Sequence, residues 1–298
     1  MTVPSQSSPQ VFDRAQLRRQ RQRVAGGFAA HDFLFRELGE RLLDRLADIR
    51  QGFPLAADVS PHAGMLESLR REVDARLGGI ETMVAASDVG FPPGGGPRLV
   101  CEEEALPFRR GSLDLILSCL GLHWVNDLPG ALIQIRDALR PDGLFLGVLL
   151  GGETLTELRQ CLMEAELAET GGASPRVSPM VGLRDAAGLL QRASFALPVA
   201  DAETLTVTYA DALALLRDLR GMGEGNALAA RPRRPLSRQV IARASALYAA
   251  RFADSDGRIR ATFQAIFVTG WAPSAIQQQP ARRGSGDVSL ADFLAKKP

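Results

Sequence analysis

Residues 113–124 read LDLILSCLGLHW. The almost unbroken apolar run over 113–120 is the pattern of a strand covered on both faces, as in a parallel sheet. The stretches around it repeat the pattern. FPLAADV (53–59), ETMVAAS (81–87) and RLVC (98–101) precede it, and LFLGVLL (144–150) follows. Helical spacings lie between: 62–76, then Asp127 to Leu139 stopped by the turn RPDG (140–143), then ETLTELRQCLMEAELAE (153–169). Strand alternating with helix at this spacing predicts an α/β fold, doubly wound and mainly parallel. Further helices are expected at 182–193, 210–221 and 237–252, with strands at 203–208 and 262–271.

Upstream, DFLFRELGERLLDRLADI (32–49) sets Phe35, Leu38, Leu42, Leu46 and Ile49 near one face of an amphipathic helix, with Asp32 as its expected N-cap. VFDRAQLRRQRQRVA (11–25) is dense in arginine and reads as a solvated or partner-facing helix. The expected organisation is an Arg-rich arm (1–31), a main domain with a C-terminal helical elaboration (32–275) and a loosely ordered tail (276–298).

With 298 residues, 46% hydrophobic and 23% charged, the chain can bury a large core and is ordinary for a globular protein. Lys plus Arg is 35 against 34 for Asp plus Glu, a net charge of +1, which argues against a nucleic-acid binder. Three cysteines without CxxC spacing suggest neither a disulfide framework nor a zinc site, and point to a reducing compartment. Cys101 and Cys119 are expected as small core residues. His31, His62 and His123 are scattered, so no metal site is expected. No apolar run approaches the ~18 residues of a membrane span. The polar start MTVPSQSSPQ lacks the apolar core of a secretory signal, so a cytoplasmic location is expected.

Open α/β sheets bind ligands beyond the C-terminal ends of their strands. Asp58 follows the first strand, Asp88 the second, and Glu102 and Glu103 the third; Ser118, His123 and Trp124 stand at and just past the end of the fourth. Carboxylates at three successive strand ends accept hydrogen bonds from ribose hydroxyls or amines and repel phosphate. That favours a nucleoside without phosphates over a dinucleotide. Asp58 and Asp88 read also as caps of the helices that follow. Glu102 to Glu104 read also as a solvated loop, and His123 and Trp124 as packing at a strand–helix junction.

Longer segments carry a resemblance to a known family. FDRAQLRRQRQR (12–23), EEEALPF (102–108), LHWVNDLPGAL (122–132), LRPDG (139–143), GGETLTELR (151–159), GGASPRVSP (171–179), GMGEGN (221–226), GW (270–271) and PARRGSG (280–286) resemble the class I S-adenosylmethionine (SAM) methyltransferases. The chain is similar to the biotin-pathway malonyl-carrier methyltransferase. It resembles still more the complex I assembly factor of mitochondria and its bacterial relatives, understood to hydroxylate an arginine on a complex I subunit. The resemblance implies a seven-stranded sheet with its last strand antiparallel, and SAM as cofactor. It implies that Asp58 closes the first strand, that Asp88 takes the ribose, and that Glu102, beside Glu103, reads the adenine amine. Ser118 then meets the methionine moiety, with His123 and Trp124 on the substrate side.

One loop departs from the family. Its D-x-G-x-G-x-G arrangement becomes Asp58, Ser60, His62 and Gly64, so one glycine of three remains. Pro61 also removes a backbone N–H, and His62 adds bulk where the cofactor's methionine end is expected. Three functions follow from these readings. The leading one is a SAM-dependent methyltransferase of the complex I assembly type. The second is a protein-arginine hydroxylase acting on a complex I subunit, and the third is a non-catalytic assembly protein that has lost SAM. The acceptor is expected to be a complex I subunit or another protein or small molecule, met in the cytoplasm or at the inner membrane face. No catalytic residue is assigned, because methyl transfer rests mostly on proximity and orientation.

Overall fold

The computed structural model describes residues 10–62, 64–74, 76–89, 96–278 and 289. The Gly/Pro loop at 90–95, most of the expected tail and the PARRGSG segment lie outside the described residues. Seven strands form one sheet: β1 (Leu55–Asp58), β2 (Thr82–Ser87), β3 (Arg98–Val100), β4 (Leu113–Cys119), β5 (Leu139–Leu150), β6 (Ala196–Tyr209) and β7 (Ile259–Trp271). Their order is β3-β2-β1-β4-β5-β7-β6. The first five run parallel, and β7 lies antiparallel between β5 and β6. The expected doubly wound, mainly parallel seven-stranded sheet is the one observed.

The apolar runs do what their composition requires. Along β4, Leu115, Leu117 and Cys119 enter one core while Leu113 and Ile116 enter the other. Along β5, Leu144, Leu146, Val148 and Leu150 face the first core, and Phe145 and Leu149 the second. Successive strand residues point to opposite faces, so a strand buried on both faces must be apolar throughout. Helices α2 (Phe33–Ala47), α3 (Met65–Val73), α5 (Thr156–Thr170), α7 (Ala212–Gly221) and α8 (Arg238–Phe252) supply the first core. Helices α4 (Leu128–Ala138) and α6 (Leu183–Arg192) cover the opposite face. Asp127 caps α4 by accepting the Gly130 N–H at 2.9 Å.

Three local expectations change. Asp32 precedes α2, but its side chain makes no capping bond. RPDG is absorbed into the start of β5 as an irregularity, with Asp142 left-handed at φ +66° and the β4–β5 ladder jumping from Leu139 to Leu144. Strand β6 begins at Ala196, well before 203, because its polar residues are paired outside the sheet. Arg45 of α2 reaches Asp201 at 2.7 Å and Glu203 at 2.6 Å.

The arginine-rich segment forms α1 (Arg14–Val24), with Asp13 capping it by accepting the Gln16 N–H at 2.9 Å. It is not a purely solvated helix. Leu17 and Arg21 are fully buried. Phe12 packs edge-on against Trp124 with ring centres 5.2 Å apart, and its backbone N–H donates to Asn126 at 2.8 Å. The arm thereby crosses the C-terminal end of the sheet.

Candidate functional site

Strand β1 lies between β2 and β4, so the crevice at its C-terminal end is the topological switch of the sheet. Asp58 sits there, completely buried. Its Oδ1 accepts the Ser60 N–H at 3.1 Å and its Oδ2 the Gly64 N–H at 3.0 Å. Burial pushes its carboxyl above the usual carboxylate range despite these bonds. Ser60 Oγ accepts the Cys119 N–H at 2.8 Å and so ties the loop to β4.

The glycine substitutions have a local reason. Gly64 alone of the three loop positions takes a left-handed backbone, at φ +98°, and it is the glycine that remains. Neither Ser60 nor His62 has a positive φ. His62 does not simply crowd the loop. Its ring stacks on Phe28 with centres 3.5 Å apart and meets Phe35 edge-on at 5.0 Å. Burial and the nearby Arg21 push its pKa down to about 4, so it is neutral at pH 7.

The acidic strand ends face α1. Arg18 Nε lies 3.5 Å from Asp88 Oδ2, and the same guanidinium pairs with Glu102. Arg21 Nη1 stands 3.1 Å from Glu103 Oε1 and 3.6 Å from Asp88 Oδ1. Arg14 completes the cluster on Glu103. Burial works to raise the Glu103 carboxyl, but Arg21 and Arg14 outweigh it and hold it below the usual range. These carboxylates therefore lie in one continuous ion-pair network with the arm, and are neither helix caps nor a solvated loop.

At the end of β4, Ser118 is fully buried and Leu120 is left-handed at φ +57°. His123 and Trp124 follow in a short 3-10 turn (Leu122–Trp124). Both address a residue that sequence reasoning missed. Glu224 Oε2 lies 3.0 Å from His123 Nε2 and accepts the Trp124 Nε1–H at 2.8 Å. Burial acts to raise this carboxyl, but His123 and Arg21 hold it down. A buried acid inside the glycine-flanked MGEG (222–225) was the available signal, with Gly223 left-handed at φ +81°.

Among the described residues, every buried side-chain nitrogen or oxygen without a hydrogen-bond partner belongs to this edge. They are Arg14 Nε, Gln20 Oε1, Arg21 Nε and Nη2, His62 Nε2, Asp88 Oδ1, Ser118 Oγ and His123 Nδ1. Buried polar groups are nearly always satisfied. Orphaned donors and acceptors on facing elements fit a polar ligand with hydroxyls and a carboxylate, as SAM has. Ser60, Ser87, Cys101 and Glu103 line a narrow crevice beside them, too tight as it stands to admit a water molecule. No three His, Cys, Asp or Glu side chains among the described residues are grouped to hold a metal ion.

Comparison with known proteins assigns this edge to a lineage. The family pattern described as a methyltransferase domain matches residues 58–147, which run from Asp58 through β5. The chain is 40% identical over 295 residues to the arginine-hydroxylase NDUFAF5, mitochondrial, of Danio rerio, covering 97% of this chain and 91% of that protein. The chain belongs to the NDUFAF5 family. Against the Homo sapiens member of that family, identity is 37% over 290 residues, covering 95% of this chain and 83% of that protein. A malonyl-[acyl-carrier protein] O-methyltransferase of Laribacter hongkongensis is 32% identical over 300 residues, covering 96% of this chain and 97% of that protein. In fold, the chain matches the YcgJ protein of Bacillus subtilis with a TM-score of 0.52 at 13% identity, over 80% of this chain and 99% of that one. With its methyltransferase-domain match, the chain has the class I SAM methyltransferase fold. Among the described residues of this member, no helix is long and apolar enough to cross a membrane.

Proposed function

We propose that this protein binds SAM at the C-terminal edge of β1, β2 and β4 and acts as a complex I assembly factor that modifies an arginine side chain. The convergence of unpartnered buried polar atoms on one crevice carries the SAM reading. Asp88 Oδ1 is an acceptor for the ribose, and Arg21 Nε and Nη2 are donors for the methionine carboxylate. Glu102 reads the adenine amine once Arg18 releases it. Ser118 and the backbone of Ser60, His62 and Gly64 line the methionine end, with His123 and Trp124 on the acceptor side. SAM carries its own electrophilic methyl group, so the protein's task is to hold donor and acceptor in line.

The second reading is arginine hydroxylation, favoured by the four vertebrate relatives of that name at 37–40% identity. One experiment separates the two. The protein is incubated with SAM, dioxygen, a reductant and a recombinant complex I subunit, and the peptides are analysed by mass spectrometry. A SAM-dependent gain of one CH2 on an arginine supports methyl transfer. A gain of one oxygen supports hydroxylation, and no change in the presence of SAM contradicts a modifying role.

A further inference from the structure

A second cavity of about 560 Å³ opens beside the crevice, within the size range of small-molecule sites. Its walls are aliphatic and aromatic: Leu155, Leu158 and Leu162 of the α5 segment, Leu219 and Met222 at the end of α7, and Phe263 of β7. These six side chains are buried or nearly so, and all belong to the first core or line it. The cavity is therefore an invagination of the core, not a surface dimple.

Its rim has the opposite character. Six arginines line it: Arg23, Arg176, Arg220, Arg231, Arg233 and Arg234. Two are neutralised, Arg176 by Glu166 and Arg231 by Asp13 at 2.9 Å. The other four have no ion-pair or hydrogen-bond partner among the described residues. The one acid on the lining, Glu224, is committed to His123 and Trp124. Arg233 and Arg234 stand between Pro232 and Pro235, whose fixed φ angles stiffen the loop that presents them. Uncompensated cations over an apolar cavity repel a guanidinium and attract an anion.

We propose that this cavity binds an anionic amphiphile, with its apolar chain against Leu158, Leu162 and Phe263 and its acidic head at Arg220, Arg233 and Arg234. The ligand class is a single alkyl chain ending in a carboxylate or phosphate. The inference does not rest on SAM binding or on the arginine reading. It adds to the protein a ligand whose charge is opposite to that of an arginine acceptor.

The test is calorimetric titration of the full chain with dodecanoate, dodecyl phosphate and dodecylamine, with phosphatidylglycerol vesicles as a separate arm. Both acids are expected to bind with micromolar dissociation constants, and the amine at least tenfold more weakly. The exposed double variant Arg233→Glu/Arg234→Glu is expected to lose at least tenfold in affinity for the acids with unchanged circular dichroism. The variant Leu162→Trp fills the cavity and is expected to abolish binding; if it fails to fold, the surface variant still decides. Equal affinity for acid and amine, no loss in the double variant, or vesicle binding without binding of the soluble acids overturns the proposal.

Discussion

Arg21 and Glu103 meet inside the protein, Nη1 to Oε1 at 3.1 Å, with side-chain exposures of 1% and 7%. One comes from the N-terminal helix and the other from the loop after β3, 82 positions apart. Removing one partner of a buried pair costs up to ~3–5 kcal/mol, towards the lower end here because Arg14 stays on Glu103. Arg21→Met is therefore expected to lower the unfolding free energy by about that amount, and Arg21→Met/Glu103→Gln to recover part of it. Urea titration of the three proteins checks this. A single variant as stable as the wild type would show that α1 does not depend on the pair.

Arg18 is the most exposed of the three arginines, at 37%, and it holds the two carboxylates expected to read ribose and adenine. A half-exposed pair is worth ~0–1 kcal/mol, so displacing it is cheap. Arg18→Ala is expected to tighten SAM binding by up to about fivefold, and moderate salt to act in the same direction in the wild type. Calorimetry at two ionic strengths reads both effects. Weaker binding in the variant would make Arg18 a cofactor ligand, not a competitor.

These contacts mark the limit of what the sequence shows. The strand ends were legible because alternation of apolar runs and helices places Asp58, Asp88 and Ser118 at one edge without any distance being known. The arginines of α1 were not, since their partners lie 70 or more positions away and local pattern carries no pairing. Glu224 was hidden for the same reason, 100 positions from Trp124. The early start of β6 escaped because the acids at Asp201 and Glu203 look like loop residues until Arg45 of α2 is seen beside them.

His62 is held neutral by burial, with its pKa down at about 4 against 6.5 for the free side chain. Between these values the unfolded chain binds a proton that the folded protein refuses. Stability therefore falls as pH drops from 6.5 towards 4, by roughly 3 kcal/mol across the window. Glu103, held low, adds a loss at more acid pH, and Asp58, held high, works in the opposite sense. His62→Phe keeps a ring on Phe28 and removes the His62 contribution. Urea midpoints at pH 7 and pH 4.5 are expected to differ less in the variant than in the wild type. An identical pH dependence would show that His62 does not titrate on unfolding.

Gly64 provides the left-handed turn into α3 at φ +98°, and its N–H serves Asp58. Gly64→Ala is expected to cost ~1–2 kcal/mol through backbone strain, although the space beside it is open. Ser60→Gly, at a position without positive φ, loses the hydroxyl that serves Cys119 and Asp58 and is expected to cost about 1 kcal/mol. Chemical denaturation ranks the two. A larger loss at Ser60 than at Gly64 would contradict this account of why one glycine remains.

Calorimetric titration of the purified protein with SAM, beside the variant Asp88→Asn, tests the central claim most directly. The account predicts binding in the micromolar range for the wild type and at least a tenfold loss in the variant, with no change in fold. No binding at millimolar SAM, or equal affinity in the two proteins, would contradict it and leave the fold without its cofactor.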